Sequence, residues 1–374
     1  MQRKVTLKEV ISVIKLSLIP IWGWPVSKDA TKYKMFCVKL YHSLCIIMAI
    51  MLAIPIIFGA INHLKEPIYL VQELVISSST LHVIANFIAY KVNYNDLQDI
   101  TTKVEHFCDF MKPHEEIVIQ RYIDKCVIFY GFSLFIFYFF TLITITLLPP
   151  VLHQPFPTLA EYPFDVIQQP LRTIIYMQQS LTGILVSGQL CTSVYIAFIL
   201  WFTSARFEIL CEELRNVGTD IYQLFKWIKL HQELLKYAVK ISITVRAFVF
   251  ITVACSTFCI IIILCLLLTH QSFIQLFQFF GLSLVCLAEV FMYTWPGEYL
   301  INMSSNVSLA AFDALQTDQP VIMWKCLQII IMRSQKPVTV KIPCFLPALC
   351  YTYFTTYCST ILSYFTTLRV MINE

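Results

Sequence analysis

The sequence predicts an all-α, polytopic membrane protein with seven transmembrane helices, its N-terminus cytosolic and its C-terminus extracellular. Three observations carry that expectation. The first is composition: of 374 residues, 58% are hydrophobic and 13% charged, and a mean hydropathy of +0.70 is too apolar for a soluble chain of this length. The second is the series of apolar runs at 40–61, 68–90, 126–148, 174–202, 247–268, 273–294 and 345–368, each near the ~20 residues a helix needs to cross a bilayer core of roughly 30 Å. The third is charge placement.

With the N-terminus inside and seven spans, 24 of the 27 Lys and Arg residues fall on the cytosolic side and 3 outside, as the positive-inside rule asks. The second run is the weakest, holding Glu73, the polar stretch Ser77-Ser78-Ser79-Thr80, and His82. Removing it reverses every later loop and leaves 17 cations outside against 10 inside, so it is expected to span. The orientation is opposite to that of a G-protein-coupled receptor, and no Asp-Arg-Tyr follows the third run.

Residues 1–39 form a basic cytosolic segment, broken by Pro20 and Pro25, with no early apolar region leading to a small-residue cleavage site. The 14 cysteines lie in apolar runs or in loops placed in the cytosol, without paired spacing, and read as small core hydrophobes. The first six runs occupy 40–298. Between the third and fourth, the outer loop Pro149 to Arg172 carries Pro149, Pro150, Pro155, Pro157 and Pro163. Such density fixes φ and removes donors, which makes the loop an ordered lid or a stiff connector.

Between the fourth and fifth runs, residues 203–246 place Phe207, Leu210, Leu214, Val217, Ile221, Leu224 and Ile228 at steps of three and four, an amphipathic stripe. Asn216-Val217-Gly218 reads as a helix stop, and Asp220 with Gln223 as the cap that starts another helix. The stripes are expected to bury against each other or against a neighbouring subunit, with Leu214 and Leu224 as anchor residues. Residues 299–344 read as a cytosolic anchor helix that Pro337, Pro343 and Pro347 separate from the last run, 345–374. The sequons at Asn302 and Asn306 fall on that cytosolic part and are expected to be unmodified.

The last run is full of hydroxyls. Thr352, Thr356, Ser359, Ser363 and Thr367 are separated by steps of four and three, one continuous stripe on a helix. A single Ser or Thr in a membrane helix bonds back to the carbonyl one turn earlier, but five in line read as a face that lines water. One helix cannot enclose a pore, so the reading requires several copies around an axis. Glu73 and Glu289 are expected to be satisfied structural acids facing protein or water, because a charge at mid-bilayer costs about 2.5–3.5 kcal/mol.

Enzyme chemistry finds no support. There is no Gly-rich phosphate loop, zinc spacing or activated nucleophile; the chain has eight glycines, and His231 with Glu233 is not a metal-binding spacing. No cofactor or metal is expected, and a net charge of +4 gives no support to nucleic-acid binding.

Four stretches carry a resemblance. Tyr162-Pro163-Phe164-Asp165 in the Pro-rich loop, the run His231 to Leu235, the run Met332-Arg333-Ser334-Gln335-Lys336-Pro337, and the ending Ser363 to Arg369 together resemble the insect odorant receptors, in order along essentially the whole chain. Two positions depart: Trp295-Pro296-Gly297 lacks a cysteine common before that glycine, and Phe312 stands where tyrosine is common. The resemblance implies an odorant-gated, non-selective cation channel in the plasma membrane of olfactory neurons, a heterotetramer with a shared co-receptor. It also implies that the membrane half of the last helix lines the pore, near Ser359 and Ser363 with a gate by Thr367 and Val370, and that cytosolic helices, with Arg333 and Lys336 in the basic run, hold subunits together. A co-receptor role is disfavoured, since no long insertion separates the fourth and fifth runs.

The implied odorant pocket lies in the outer half of the bundle. Counting inward from the outer ends selects Leu74 and Ser77 on the second run, Tyr138, Phe139 and Leu142 on the third, Met177, Ser180 and Ile184 on the fourth, and Phe277 and Phe280 on the sixth. Burying roughly 200 Å² of a small volatile at about 25 cal/mol per Å² yields on the order of 5 kcal/mol, hence modest affinity. A gustatory receptor of the same superfamily would act without the co-receptor. A secondary transporter would show inverted repeats and broken mid-membrane helices, which the sequence lacks.

Overall fold

The computed structural model describes residues 4–151, 153–166, 168–267, 273–316 and 319–373. Regular structure among them is helical, apart from one antiparallel bridge between Ile342 and Leu346. The helices are α1 (Leu7–Ser17), α2 (Lys32–Asn62), α3 (Pro67–Val92), α4 (Tyr94–Asp109), α5 (Pro113–Thr146), the short α6 (Leu148–Val151), α7 (Leu171–Arg215), α8 (Ile221–Leu267), α9 (Phe273–Asp313), α10 (Val321–Ser334) and α11 (Tyr351–Asn373).

Six of these, α2, α3, α5, α7, α8 and α9, are long and apolar enough to cross a membrane. The seventh expected run differs in two respects. It becomes helical at Tyr351 rather than at 345, because residues 335–350 fold as an elbow around Pro337, Pro343 and Pro347. Its 23 residues suffice to cross, yet its hydroxyls keep it outside the apolar set. The long outward stripe on α2, where Phe36, Leu40, Leu44, Ile47, Met51 and Ile54 are all exposed, is what a lipid-facing helix presents. The chain is a multi-pass membrane protein.

The 45-residue α7 and 47-residue α8 extend about 70 Å at 1.5 Å per residue, more than twice a bilayer core of roughly 30 Å. The expected break between them is present. Asn216 caps α7, Gly218 takes a φ of 57°, which L side chains resist, and Asp220 Oδ1 accepts from the amides of Tyr222 and Gln223 at 2.9 and 3.3 Å.

α7 is the centre of the bundle: 72% of its most apolar stretch is buried, against 22% for α5. Its buried Thr182, Ser187, Gly188, Ser193, Ala197 and Ala205 are small enough to let neighbours approach closely. Hydroxyl rungs then tie it outward: Thr101 to Tyr195 at 2.6 Å from α4, Thr141 to Ser187 from α5, and Tyr293 donating to Ser193 at 2.9 Å from α9. The N-terminal segment also belongs to this core. Thr6 and Glu9 close a capping box on α1, and Tyr90 donates to the Gly23 carbonyl at 3.0 Å.

Candidate functional site

Two features stand out: a cavity inside the bundle and the bare face of α11. The cavity, ≈ 100 Å³, lies between α3, α7, α8 and α9. Apolar walls come from Val83, Val186, Leu190, Leu282 and Val285, while Ser78, His82, Gln189, Ser256 and Glu289 supply a few polar groups, the usual make-up of a small-molecule site. Glu289 is 5% exposed; its Oε2 accepts from the Ser256 hydroxyl at 3.0 Å, and its Oε1 has no hydrogen-bond partner among the described residues. A buried acceptor left unpaired costs about 1–3 kcal/mol, which a ligand donor recovers.

On α11 the five hydroxyl positions of the sequence stripe, Thr352, Thr356, Ser359, Ser363 and Thr367, are all exposed. Thr356, Ser359 and Ser363 line an open groove with Thr355, Thr360 and Tyr364. Two of the five hydroxyls bond backwards, Thr356 to the Thr352 carbonyl at 2.8 Å and Thr367 to that of Ser363 at 2.9 Å, and each keeps a second lone pair open on the exposed face. The opposite face is buried: Tyr357 and Ile361 pack inward.

The inward face connects the two features. On α8, Ser256 faces the cavity and its neighbour Thr257 meets the Tyr357 hydroxyl of α11 at 3.0 Å. On α9, Phe291 sits two residues from Glu289 and packs on Phe354 of α11 at 5.3 Å. Behind it runs an aromatic cluster across α5, α7 and α9, in which Trp295 touches Phe129, Tyr130 and Trp201 at 5.6, 6.1 and 5.3 Å. No spacing in the sequence marks this cluster.

The elbow before α11 is clamped to α9. Glu298 Oε2 accepts the Tyr351 amide at 3.1 Å, capping α11, and Ser304 Oγ accepts that of Val338 at 3.0 Å. Next to Glu298, Gly297 is packed against Leu349, where a Cβ would overlap the Leu349 carbonyl oxygen and stand 3.0 Å from its Cγ. The departure seen at Trp295-Pro296-Gly297 therefore lies at the pivot of the last helix.

Of the ten pocket residues chosen from sequence, the nine whose side chains are described do not line the cavity. Leu74 and Ser77 are half-buried just outside it on α3. Tyr138 turns to the N-terminal segment and donates to the Ser17 carbonyl. Phe139 and Leu142 continue the outward stripe Ile128, Phe132, Phe135 of α5, because both faces of α5 are apolar and its rotation is set by packing. Met177 lines a separate cleft near Pro149 and Arg172, Ser180 donates to the Tyr176 carbonyl, Ile184 is half-buried and Phe280 is exposed. The side chain of Phe277 lies outside the described residues. Val370 is exposed on α11. Leu214 and Leu224 are fully buried within the chain, so any part they play in assembly is indirect, whereas Arg333 and Lys336 are exposed.

The described part of the proline-rich loop is tied to the ends of α2 and α7. Gln179 Oε1 accepts from the amide and hydroxyl of Thr158 at 3.1 and 3.0 Å, the Glu161 amide donates to the Pro55 carbonyl at 3.2 Å, and the Glu161 carboxylate binds Asn62 at 2.9 Å and His63 at 2.6 Å. Hydrogen bonds from Asn62 and then His63 hold the Glu161 carboxyl below its ordinary value of 4.5, and the bond to Glu161, then Glu66, holds the His63 imidazolium above its ordinary 6.5. The histidine's share is full below pH 6.5 and lost as pH rises through its raised value; the carboxylate's is full above pH 4.5 and lost as pH falls through its lowered one. Hydrogen exchange in the loop is therefore expected to be slowest, relative to intrinsic rates, between pH 4.5 and 6.5 and to accelerate above that window, with the alkaline acceleration absent in His63→Gln.

A family model described as 7tm Odorant receptor matches residues 66–361. Among solved structures, the insect olfactory receptor OR5 from Machilis hrabei in complex with eugenol aligns with a TM-score of 0.80 at 15% identity, over 97% of this chain and 98% of that one. A second structure of OR5 from Machilis hrabei aligns with a TM-score of 0.79 at 16% identity, over the same shares. No curated protein sequence matches the chain. At these identities the structural likeness carries the fold.

Proposed function

The chain belongs to the 7tm odorant receptor family, and from that premise we propose that it is a ligand-tuned subunit of an odorant-gated cation channel, assembled with a co-receptor in the plasma membrane of olfactory neurons. The N-terminus and the α7–α8 turn face the cytosol, and α11 lines the pore. The observation that supports this most is the two-faced α11: one side bare hydroxyls, the other joined to helices that wall a small, partly polar cavity. Ser359 and Ser363 line the path, Thr367 and Val370 the gate, and ions pass a neutral, hydroxylated wall, which favours weak selectivity among cations.

The ligand is a small, partly aromatic volatile, as the likeness to a receptor solved with eugenol supports. It enters the α3/α7/α8/α9 cavity, whose ≈ 100 Å³ holds a few heavy atoms until side chains such as Leu190 and Leu282 yield. Opening requires that the ligand bind the open state more tightly than the closed one. Here the difference passes through Ser256–Thr257 and Glu289–Phe291 to Tyr357 and Phe354. Exposed Arg333 and Lys336 take part in subunit contacts.

The test is odour-evoked current in cells expressing this chain alone and with an insect odorant co-receptor. Cation current on co-expression only is the expected result; current from the chain alone points to a gustatory-like homomer, and uptake without current to a transporter. Within the channel reading, Glu289→Leu is expected to raise the half-activating concentration of ligands carrying a hydrogen-bond donor about tenfold, the worth of one buried hydrogen bond, and to leave donor-free analogues unchanged. Dose–response pairs of an alcohol and its methyl ether measure it.

A further inference from the structure

Between α4, the start of α5, α7 and α8 lies a cleft of ≈ 500 Å³ that the odorant reading does not use. Four cationic side chains line it, Lys28, Lys103, Lys112 and Arg206, against two carboxylates, Asp99 and Glu115. Asp99 is already shared by three ammonium groups: Lys28 at 2.5 Å, Lys103 at 3.4 Å, and Lys240 at 3.0 Å from the α8 side. Those partners, Lys28 first, hold its carboxyl well below the usual range. Glu115 turns back to its own helix start, where Oε2 accepts the Lys112 amide at 2.8 Å.

Arg206 is the informative residue. Its guanidinium lies 5.2 Å from the Phe107 ring and 5.8 Å from that of Tyr237, and it has no ion pair among the described residues, nor has the Lys112 ammonium. A guanidinium between aromatic faces keeps its fork of donors free for a planar or tetrahedral anion. The position suits a membrane surface: Arg206 stands four residues, about 6 Å of helix, beyond the fourth apolar run, on the side to which the charge count assigns the cytosol.

We propose that this cleft binds a phosphorylated inositol group, with Arg206, Lys103 and Lys112 on its phosphate monoesters. Each monoester carries about −1.5 to −2 charges at neutral pH, so one of them offsets the net +2 of four cations and two carboxylates, and the ≈ 500 Å³ of the cleft leave room for an inositol ring and a second phosphate, which a single carboxylate or sulfate does not fill. The same chemistry comes from a phosphoinositide lipid headgroup or from a soluble inositol phosphate.

The experiment uses the full chain, purified with its co-receptor, and reads thermal stabilisation by a short-chain phosphatidylinositol bisphosphate, inositol trisphosphate and inorganic sulfate. Both inositol probes are expected to stabilise the complex, and Lys103→Gln with Lys112→Gln, both exposed positions, to raise the half-saturating concentration about a hundredfold, about tenfold for each of the two lost charge-assisted hydrogen bonds. Restoration of run-down current in excised patches by the lipid alone assigns the lipid source; restoration by the soluble compound assigns the other. Stabilisation by sulfate to the same degree, unchanged affinity in the double variant, or no stabilisation by either probe overturns the site.

Discussion

Replacing Gly297 by alanine is expected to abolish odour-evoked current while leaving most of the bundle folded. The reason is geometric. Gly297 is where α9 touches the elbow, and an added methyl would occupy the space of the Leu349 carbonyl. Neither partner is a flexible side-chain end: the carbonyl belongs to an elbow fixed by Leu349 donating to Val340 at 3.0 Å and by the Glu298 cap on Tyr351. Overpacking of this sort costs about 1–3 kcal/mol, and relief requires moving the start of α11, the helix proposed to line the pore. Surface labelling should show normal or mildly reduced expression, with current lost. Gly131→Ala is the control, since a Cβ there meets nothing within 4 Å and the change favours helix by about 1 kcal/mol. Equal currents from both variants would remove the elbow from the account.

The second large effect is expected on the hydroxyl face. Ser359→Leu combined with Ser363→Leu places two isobutyl groups in the groove that Thr356, Ser359 and Ser363 line, turning a wet wall into an apolar one that dewets readily. An added barrier of about 1.4 kcal/mol lowers conduction about tenfold, so unitary current should fall by about that factor while the half-activating odorant concentration stays in place. Tyr357→Phe should do the reverse. It deletes the hydroxyl that meets Thr257 on the buried face, so sensitivity shifts and unitary current does not. Single-channel recording separates the two.

Much of this architecture was legible from residue patterns. The stop at Asn216-Val217-Gly218 and the restart at Asp220 declare themselves because local chemistry makes them, and the hydroxyl stripe survives because a helix of hydroxyls spaced by three and four can only present one face. The pocket was harder to read. A helix such as α5 is apolar all round, so nothing in its sequence fixes its rotation, and Phe139 and Leu142 turn outward where Ser133 and Phe137 turn inward. The polar wall of the cavity carries a fainter signal: Gln189 and Ser256 are polar residues inside apolar runs, and Glu289, expected as a satisfied structural acid, keeps Oε1 unpaired among the described residues. The joint between cavity and α11 is tertiary. Thr257 and Tyr357 are one hundred residues apart, and the aromatic cluster around Trp295 joins three helices whose many Phe and Tyr residues look alike in one dimension. Lys103 and Lys112 meet Arg206 in one cleft only because α4 and the start of α5 fold back beside α7 and α8, a juxtaposition that no spacing in the sequence marks.

The central claim is that the exposed hydroxyl face of α11 lines the conduction path, and one measurement addresses it directly. Ser359→Cys would be co-expressed with an insect odorant co-receptor and treated during odorant application with a small, water-soluble cationic thiol reagent, with the parent chain and its own cysteines as control. Progressive loss of current, faster with odorant than without and absent from the parent chain, is the expected result. Full current after the introduced thiol has been shown to react would place the path elsewhere and contradict the account.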